Sequence, residues 1–253
     1  MRTLHDTARL ALACLDLTRL DEADGEADIV RLAARAAAAP GRVAALCVWP
    51  RLVRTALAHA PVGVAVAAVA NFPAGGDDVE HARRDTAEIV AAGAQEVDVV
   101  LPWRALRRGD EARCAALLRA VRRASEGRVL KVILETGELG TTALIDRAAR
   151  LAIAEGADFL KTSTGKTPLG ATPPAAQAML AAIASEPAAA ARVGFKASGG
   201  VRRVVEAGVL DLVEAVLGTE ALTPRRMRLG ASALLDDIEA VLSGNRVPTG
   251  QGY

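Results

Sequence analysis

The stretch TTALIDRAARLAIAEGADFLK, residues 141–161, decides the fold class of this chain. Its first part, Thr141 to Ala154, carries apolar residues at helical spacing among arginine and aspartate side chains, which predicts an amphipathic helix. Gly156 follows where a C-cap glycine belongs, and Asp158 to Lys161 is then a short apolar run of the kind that forms buried strands. The stretch is therefore one helix–strand unit of an α/β protein.

The same unit recurs along the whole chain. Helical spacing also predicts helices at Asp78–Ala92, Ala112–Arg123 and Pro173–Ala184, with Thr172 as the N-cap of the last one and Gly93 and Gly208 as further C-caps. The predicted strands are Leu10–Leu15, Val43–Val48, Val62–Ala70, Glu96–Leu101, Val129–Leu134, Asp158–Lys161, Val193–Ala197 and Met227–Gly230. Strict alternation implies a parallel sheet, and eight units in 253 residues predict a single-domain (β/α)8 TIM barrel.

An open doubly wound sheet is the structural alternative to the barrel. It is less attractive, because no GxGxxG phosphate turn follows the first predicted strand. We expect the barrel domain to span residues 1–246. Residues 247–253 contain Pro248, Gly250 and Gly252, which predicts a mobile C-terminal tail.

Composition limits the classes of function. Hydrophobic content of 51% excludes a disordered chain, and a net charge of +1 gives no general electrostatic reason to bind nucleic acid or a membrane surface. Cys14, Cys47 and Cys114 are widely spaced and odd in number, so neither a disulfide framework nor a zinc site is indicated. The N-terminus lacks a secretory hydrophobic stretch, and no apolar run reaches the length of a membrane span. We expect a cytoplasmic protein.

Charged residues occur where a barrel interior should be dry. Each of five such residues lies in or at the end of a different predicted strand: Asp16, Asp98, Lys131, Lys161 and Lys196. Taken singly, each is expected to cap a strand or to pair at the surface. Active sites of this fold gather at the carboxyl ends of the strands, so the five together predict one pocket.

The lysines of this group point to a nucleophile. A lysine attacks a carbonyl only as the free amine, and both desolvation and a neighbouring cation lower its pKa. Lys161 and Lys196 fall on neighbouring strands, so Lys196 is the candidate second cation. Asp98 is then available to exchange protons with the substrate through a water molecule.

Small and hydroxyl residues follow the last three predicted strands. The segment Lys161–Lys166 resembles an anion-binding turn, although it lacks the first glycine of a Walker A motif and a plain Ser/Thr-rich loop is the alternative. Gly199-Gly200 and Gly230-Ala231-Ser232 come after strands seven and eight, where β/α barrels commonly bind phosphate. The pattern implies a small phosphorylated carbonyl substrate.

Six blocks of sequence resemble those of the deoxyribose-phosphate aldolases, and the resemblance runs from the first strand to the final tyrosine. The blocks are Asp16-Leu17-Thr18, Leu46-Cys47-Val48-Trp49-Pro50, Glu96-Val97-Asp98-Val99-Val100, Leu130-Lys131-Val132-Ile133-Leu134-Glu135-Thr136, Asp158-Phe159-Leu160-Lys161-Thr162-Ser163-Thr164-Gly165 and Gly194-Phe195-Lys196-Ala197-Ser198-Gly199-Gly200-Val201-Arg202. The resemblance implies reversible cleavage of 2-deoxy-D-ribose 5-phosphate to D-glyceraldehyde 3-phosphate and acetaldehyde. That reaction belongs to deoxyribonucleoside catabolism and uses no metal or organic cofactor.

The resemblance also implies roles for individual residues. Lys161 matches the Schiff-base lysine, Lys196 the lysine that lowers its pKa, and Asp98 the acid/base that works through water. The expected substrate-binding residues are Asp16, Lys131, Thr162, Gly165, Lys166, Gly199, Gly200, Gly230 and Ser232. Dimers are common in the family, so a homodimer is expected, with no nucleic-acid or membrane partner.

Two features depart from the family pattern or extend it. Family members often have two serines in the last loop, whereas Ala233 follows Ser232 here, so we expect phosphate binding that is retained but weaker. Tyr253 is both the only tyrosine and the last residue. It resembles the terminal tyrosine that assists proton transfer in some family members, and a chance tyrosine in a tail is the alternative.

Other functions fit part of the same sequence pattern. The nearest is another Schiff-base barrel aldolase that acts on a different phosphorylated sugar or keto acid, because the lysine chemistry is shared. A phosphosugar isomerase or a non-catalytic phosphate-binding barrel explains the loops after strands seven and eight. Neither of these explains lysines at adjacent inward positions.

Overall fold

The computed structural model describes residues 2–204 and 208–244. Within these ranges eight parallel strands close into a barrel in sequence order, and β8 pairs with β1 through Leu229 and Leu15. The strands are β1 (Leu15–Thr18), β2 (Ala45–Val48), β3 (Ala65–Ala70), β4 (Glu96–Val100), β5 (Val129–Ile133), β6 (Phe159–Lys161), β7 (Gly194–Ser198) and β8 (Met227–Ala231). The predicted (β/α)8 TIM barrel is therefore confirmed, and the open doubly wound alternative is wrong.

Helices connect successive strands and cover the barrel. They are α1 (Leu4–Ala13), α2 (Glu26–Ala38), α3 (Val53–His59), α4 (Val79–Ala91), α5 (Trp103–Arg107), α6 (Glu111–Ala124), α7 (Thr136–Leu139), α8 (Thr142–Ala154), α9 (Pro173–Ala184), α10 (Pro187–Arg192), α11 (Val209–Leu217) and α12 (Leu234–Leu242). Their buried faces consist mainly of alanine, leucine, isoleucine and valine, in agreement with an aromatic content of only 2%. In the part of the chain that is described, no helix is both long and apolar enough to cross a membrane.

The predicted first strand is wrong at its N-terminal side. Leu10 to Ala13 belong to α1, and β1 begins only at Leu15. Thr3 caps α1 by accepting a hydrogen bond from the Asp6 amide at 3.1 Å. The apolar end of the helix runs into the apolar strand with only Cys14 between them, so hydrophobicity alone merges the two elements.

The structure confirms three of the predicted helix caps and contradicts one. Thr172 caps α9 through its hydroxyl, and Gly93 and Gly156 follow α4 and α8 with φ of 101° and 88°. Both glycines thus take the left-handed conformation of a C-cap. Gly208 is different: it has φ of −55° and precedes α11 as its N-cap, so its prediction as a C-cap is wrong.

The register of the strands decides which side chains meet inside the barrel. Paired residues of neighbouring strands point to the same side, and the pairs include Asp98 with Lys131, Lys161 with Lys196, and Lys196 with Arg228. The inner face of β2 and β3 carries small apolar residues instead, namely Cys47, Ala67 and Val69. Long charged side chains from one half of the barrel therefore extend toward small side chains in the other half.

Candidate active site

Among residues 2–204 and 208–244, seven charged side chains from six strands meet in the barrel interior, and all seven are buried. They form what we call the charged cluster: Asp16, Glu96, Asp98, Lys131, Lys161, Lys196 and Arg228. The five charged residues singled out from the sequence are all members. Buried charges are costly unless they are paired, so the pairing inside the cluster determines what it can do.

Asp98 lies at the centre of the charged cluster. Its Oδ1 accepts a hydrogen bond from Lys131 Nζ at 2.7 Å, and its Oδ2 accepts one from Lys161 Nζ at 2.9 Å and one from Lys196 Nζ at 2.8 Å. Burial alone raises the pKa of Asp98, but the three ammonium groups hold that pKa well below its usual range. Asp98 is therefore an ionised carboxylate that links three lysines.

Asp16 and Glu96 form an outer pair of carboxylates. Lys196 Nζ lies 2.5 Å from Asp16 Oδ2, and Lys131 Nζ lies 2.6 Å from Glu96 Oε2. Arg228 joins the two carboxylates, with Nη1 at 2.6 Å from Asp16 Oδ1 and Nη2 at 2.7 Å from Glu96 Oε1. Burial by itself raises the pKa of Asp16, but the positive charges of Arg228 and Lys196 outweigh this effect and hold the pKa below its usual range.

The three lysines of the cluster differ in their pKa. Burial lowers the pKa of Lys161, and the charge of Lys196 lowers it further, against the opposing effect of Asp98. Burial also opposes the charged form of Lys131 and Lys196, but their carboxylate partners raise both pKa values above the ordinary one. Lys161 is thus the lysine of the cluster that is poised to lose its proton.

A charge count leads to the same residue. The charged cluster contains four basic side chains and three carboxylates. If every member is ionised, the buried group carries one excess positive charge, which a low-dielectric interior disfavours. When Lys161 is a neutral amine, three cations face three carboxylates and the cluster is balanced.

Lys161 is also the member of the cluster that reaches the ligand cavity. A cavity of about 390 Å³ opens at the carboxyl ends of the strands, and within the described ranges its lining includes no other cluster residue. The lining residues are Thr18, Leu20, Asp21, Lys161, Thr164, Gly165, Lys166, Ser198, Gly199, Gly200, Val201, Arg202, Gly230, Ala231, Ser232 and Ala233. A carbonyl compound in this cavity therefore meets one lysine amine at its floor.

Three segments, which we call the rim loops, line the mouth of the cavity: residues 164–166, 199–202 and 230–233. They contain six of the residues predicted to bind substrate: Gly165, Lys166, Gly199, Gly200, Gly230 and Ser232. The other three, Asp16, Lys131 and Thr162, are buried and do not line the cavity. Thr162 instead donates its hydroxyl to the Ser198 carbonyl at 3.0 Å, which ties β6 to β7 beneath the rim.

Glu135 holds the first rim loop and was not predicted as a site residue. Its buried carboxylate accepts hydrogen bonds from the Thr164 hydroxyl at 2.6 Å, the Thr164 amide at 3.2 Å and the Thr167 hydroxyl at 3.2 Å. Its backbone has φ of 55°, a left-handed conformation that is strained for a glutamate. The same carboxylate fixes the loop that carries Lys166. No spacing in the sequence reveals such a role.

The second rim loop depends on glycine. Gly199 has φ of 78°, and a Cβ atom there would lie 2.7 Å from the Ser163 hydroxyl oxygen. Gly200 has φ of 101° and faces open space. Side chains are therefore excluded at the first position by contact and disfavoured at both by conformation, which leaves backbone groups exposed toward the cavity.

Glu96 and Arg228 are the members of the charged cluster that sequence reasoning did not assign to the site. Arg228 lies two residues before Gly230 in the predicted strand Met227–Gly230, so the two share a face. The rarity of lysine among the basic residues is a stronger indication of where the site lies. The chain has 31 lysines and arginines, of which only four are lysines, and these are Lys131, Lys161, Lys166 and Lys196. Arginine does not lose its proton, so lysine is retained where its amine or its compact charge is needed.

Comparisons with known proteins agree with this geometry. A model of the family described as "DeoC/LacD family aldolase" matches residues 10–237. The deoxyribose-phosphate aldolase of Agrobacterium fabrum (strain C58 / ATCC 33970) is 44% identical over 246 residues, which are 95% of this chain and 93% of that protein.

Two solved structures extend the comparison. One, from Toxoplasma gondii ME49 and provisionally assigned as a deoxyribose-phosphate aldolase, has a TM-score of 0.87 at 25% identity and covers 95% of this chain and 98% of its own. The tetrameric deoxyribose phosphate aldolase of Aeropyrum pernix has a TM-score of 0.69 at 26% identity, with 94% and 92% covered. With the family match spanning most of its length, this chain belongs to the DeoC/LacD aldolase family.

Proposed function

We propose that this aldolase reversibly cleaves 2-deoxy-D-ribose 5-phosphate to D-glyceraldehyde 3-phosphate and acetaldehyde through a Schiff base on Lys161. The observation that carries the proposal is the position of Lys161, which joins the charged cluster to a cavity rimmed by glycine and hydroxyl residues. The 44% identical relative bears the name of the same activity. We place the reaction in the cytoplasm, in the catabolism of deoxyribonucleosides.

The first step is attack of the Lys161 amine on the aldehyde carbon of the open-chain sugar. The carbinolamine that forms takes up one proton from solvent water at its hydroxyl and loses that group as water, which leaves a protonated Schiff base. Asp98 lies 2.9 Å from Lys161 Nζ, so its negative charge stabilises the iminium cation. Lys196 remains protonated throughout because Asp16 and Asp98 hold its proton.

The second step breaks the bond between C2 and C3 of the sugar. A base removes the proton of the C3 hydroxyl, the C3–O bond becomes the carbonyl of glyceraldehyde 3-phosphate, and the bonding electrons pass into the iminium to give an enamine. We assign the base to Asp98 acting through a water molecule, since Asp98 is buried and does not line the cavity. Protonation of the enamine and hydrolysis then release acetaldehyde and free Lys161.

The rim loops are assigned to the phosphate group. Lys166 is exposed at the mouth and makes no ion pair within residues 2–204 and 208–244, so its charge is available to an anion. The backbone at Gly199, Gly200 and Gly230 allows close approach, and the N-terminus of α12 begins directly after Ala233. Asp16 and Lys131 are assigned an indirect part, through Lys196 and Asp98.

The proposal is tested by trapping the Schiff base with acetaldehyde and borohydride, followed by tryptic mass mapping. The four lysines make the map simple. An ethyl group on Lys161 hinders cleavage there and gives the peptide Leu151–Lys166, whereas one on Lys166 gives Thr162–Arg192. We expect Lys161 to be modified first although Lys166 is the exposed lysine. Preferential modification of Lys166 contradicts the mechanism. So does a Lys166→Met variant that no longer forms the Lys161 adduct that wild type forms.

The substrate is tested separately from the mechanism. We expect 2-deoxy-D-ribose 5-phosphate to be cleaved with a higher kcat/KM than ketose phosphates or phosphorylated keto acids. A higher value for one of these would favour the alternative Schiff-base aldolase and overturn the assigned substrate. The isomerase and non-catalytic alternatives do not fit a member of an aldolase family.

Some predictions remain as they stand. Tyr253 and the tail 247–253 lie outside the residues that the structure describes, as does the proposed domain limit at 246. We retain the assignment of Tyr253 to proton transfer at the acetaldehyde-derived carbon. Independence from metal and cofactor and a homodimeric state also remain predictions.

A further inference from the structure

We propose that Arg228 and Glu96 are positioning residues that set the charge balance of the cluster and thereby the pH at which Lys161 becomes a free amine. The proposal rests on the proposed function, because it takes the free amine of Lys161 to be the reactive form. Neither residue lines the cavity. Both therefore act through other members of the charged cluster and not by touching the substrate.

Arg228 occupies the point at which the two outer carboxylates meet. Its Nη1 lies 2.6 Å from Asp16 Oδ1 and 3.1 Å from Glu96 Oε2, and its Nη2 lies 2.7 Å from Glu96 Oε1. The planar guanidinium suits this task, because its fixed fork of donors can bind two carboxylates at once and it stays charged at any working pH. Its Nε also donates a hydrogen bond to the Pro224 carbonyl, and its guanidinium carbon lies 5.5 Å from the centre of the Phe159 ring, a cation–π contact.

The contacts connect Arg228 to Lys161 through two routes. Asp16 binds both Arg228 and Lys196, and Glu96 binds both Arg228 and Lys131. Without Arg228 the outer carboxylates attract Lys196 and Lys131 more strongly, which weakens the hold of these lysines on Asp98. Asp98 then pairs more fully with Lys161 and favours its protonated form. Loss of Glu96 has the opposite effect.

Within residues 2–204 and 208–244, the buried charged and titratable groups that face Lys161 are Asp16 on β1, Cys47 on β2, Glu96 and Asp98 on β4, Lys131 on β5, Lys196 on β7 and Arg228 on β8. Asp21, Lys166 and Arg202 lie on the cavity side, where they are exposed and solvent screens their effect on the pKa of Lys161. The residues of β3, Ala65 to Ala70, contribute none. Arg228 and Glu96 suit the test because neither hydrogen-bonds to Lys161 or Asp98, so a change at either alters the charge and leaves the direct partner of Lys161 in place.

The experiment compares wild type with Arg228→Met, Glu96→Gln and the double variant. Each protein is treated with acetaldehyde and borohydride across a pH series, and the initial rate of ethylation at Lys161 is measured by mass mapping. Acetaldehyde has no titratable group in this range, and ethylation of the exposed Lys166 in the same digest corrects for the faster decomposition of borohydride at low pH, so the midpoint of the ratio of the two rates reports Lys161. A single charge about 10 Å away, in a medium of effective dielectric about 20, moves a pKa by about one unit.

We expect midpoints that move in opposite directions. Arg228→Met removes a positive charge and raises the midpoint by about one pH unit, whereas Glu96→Gln removes a negative charge and lowers it by a similar amount. The double variant restores the wild-type excess of one cation and returns the midpoint to near the wild-type value. Single variants that shift the same way, or do not shift, overturn the proposal.

Two controls, a check of folding and the conservative variant Arg228→Lys, separate a change in charge from a loss of structure. Circular dichroism and thermal unfolding establish which variants fold. Arg228→Lys keeps the charge and loses the fork, so its midpoint should stay near wild type even if its rate falls. If Arg228→Met does not fold, an unshifted midpoint in Glu96→Gln alone overturns the proposal. Failure of wild type to trap acetaldehyde on Lys161 refutes the proposed function instead, so the two failures are distinguishable.

Discussion

The charged cluster, which lies beneath the cavity and reaches it through Lys161, and the rim loops at the cavity mouth are built in opposite ways. In the cluster, long side chains are buried and each charge is bound to at least one partner at 2.9 Å or less. In the rim loops, the residues that line the cavity are mostly small, several are exposed, and glycines with positive φ shape the backbone. Side-chain identity determines the floor of the site, and backbone shape determines its rim.

This difference separates chemistry from recognition. The partners of Lys161 are in place before any substrate arrives, so its pKa is a property of the folded protein. The rim offers backbone groups, the exposed Lys166 and the Ser232 hydroxyl to a ligand, while the Thr164 hydroxyl is already bound to Glu135 and holds the loop in place. We therefore expect substitutions in the charged cluster to change the pH dependence of the reaction, and substitutions in the rim loops to change KM.

The largest effect is expected for Lys196→Leu. Lys196 lowers the pKa of Lys161 and shares Asp98 with it, so its loss raises that pKa for both reasons. Activity requires the amine, which is present above the pKa, so the acid limb of kcat/KM moves to higher pH. We expect a loss on the order of 10²- to 10³-fold at neutral pH, with partial recovery in alkaline buffer.

Lys166→Leu is the matched control for that variant. It makes the same replacement at the rim, where the lysine is exposed and outside the charged cluster. Its acid limb for kcat/KM should coincide with that of wild type. An unshifted limb in Lys196→Leu, or equal shifts in both variants, would show that Lys196 does not tune the nucleophile.

Most of the fold could be predicted from the sequence because the buried residues of each strand and helix are also the residues that form its hydrophobic pattern. The strands β2 to β8 are apolar runs between amphipathic helices, and each was found to within a few residues. The first strand was misplaced because α1 ends in residues as apolar as those of β1. The capping pair Thr3 and Asp6, which marks the start of α1, was the signal that could have separated them.

The site could be predicted only in part, because the sequence does not show which charged side chains pair with one another in the folded protein. Lys161, Lys196 and Asp98 are conspicuous because charges inside strands violate the hydrophobic pattern. Arg228 belongs to an arginine-rich segment, in which a single buried guanidinium does not stand out. The role of Glu135 depends on a left-handed backbone and on a loop 29 residues away, and local sequence reports neither.

The same Lys166→Leu variant gives the second largest effect, and this effect concerns recognition. An exposed ammonium that binds a phosphate contributes about tenfold in affinity, so we expect KM for 2-deoxy-D-ribose 5-phosphate to rise by about that factor with kcat little changed. The value of kcat/KM for unphosphorylated 2-deoxyribose should stay at its wild-type level. Equal losses for both sugars would show that Lys166 supports the loop and not the phosphate.

The smallest effect is expected for Ala233→Ser, which adds a second hydroxyl to the last rim loop. Ala233 is exposed on the cavity lining directly before α12, so the serine disturbs no packing. One added hydrogen bond to the phosphate should lower KM for the phosphorylated sugar by roughly 2- to 10-fold and leave the pH dependence unchanged. A comparable gain with 2-deoxyribose would place the hydroxyl away from the phosphate. An unchanged KM would mean that the backbone N–H groups and Lys166 already satisfy the phosphate.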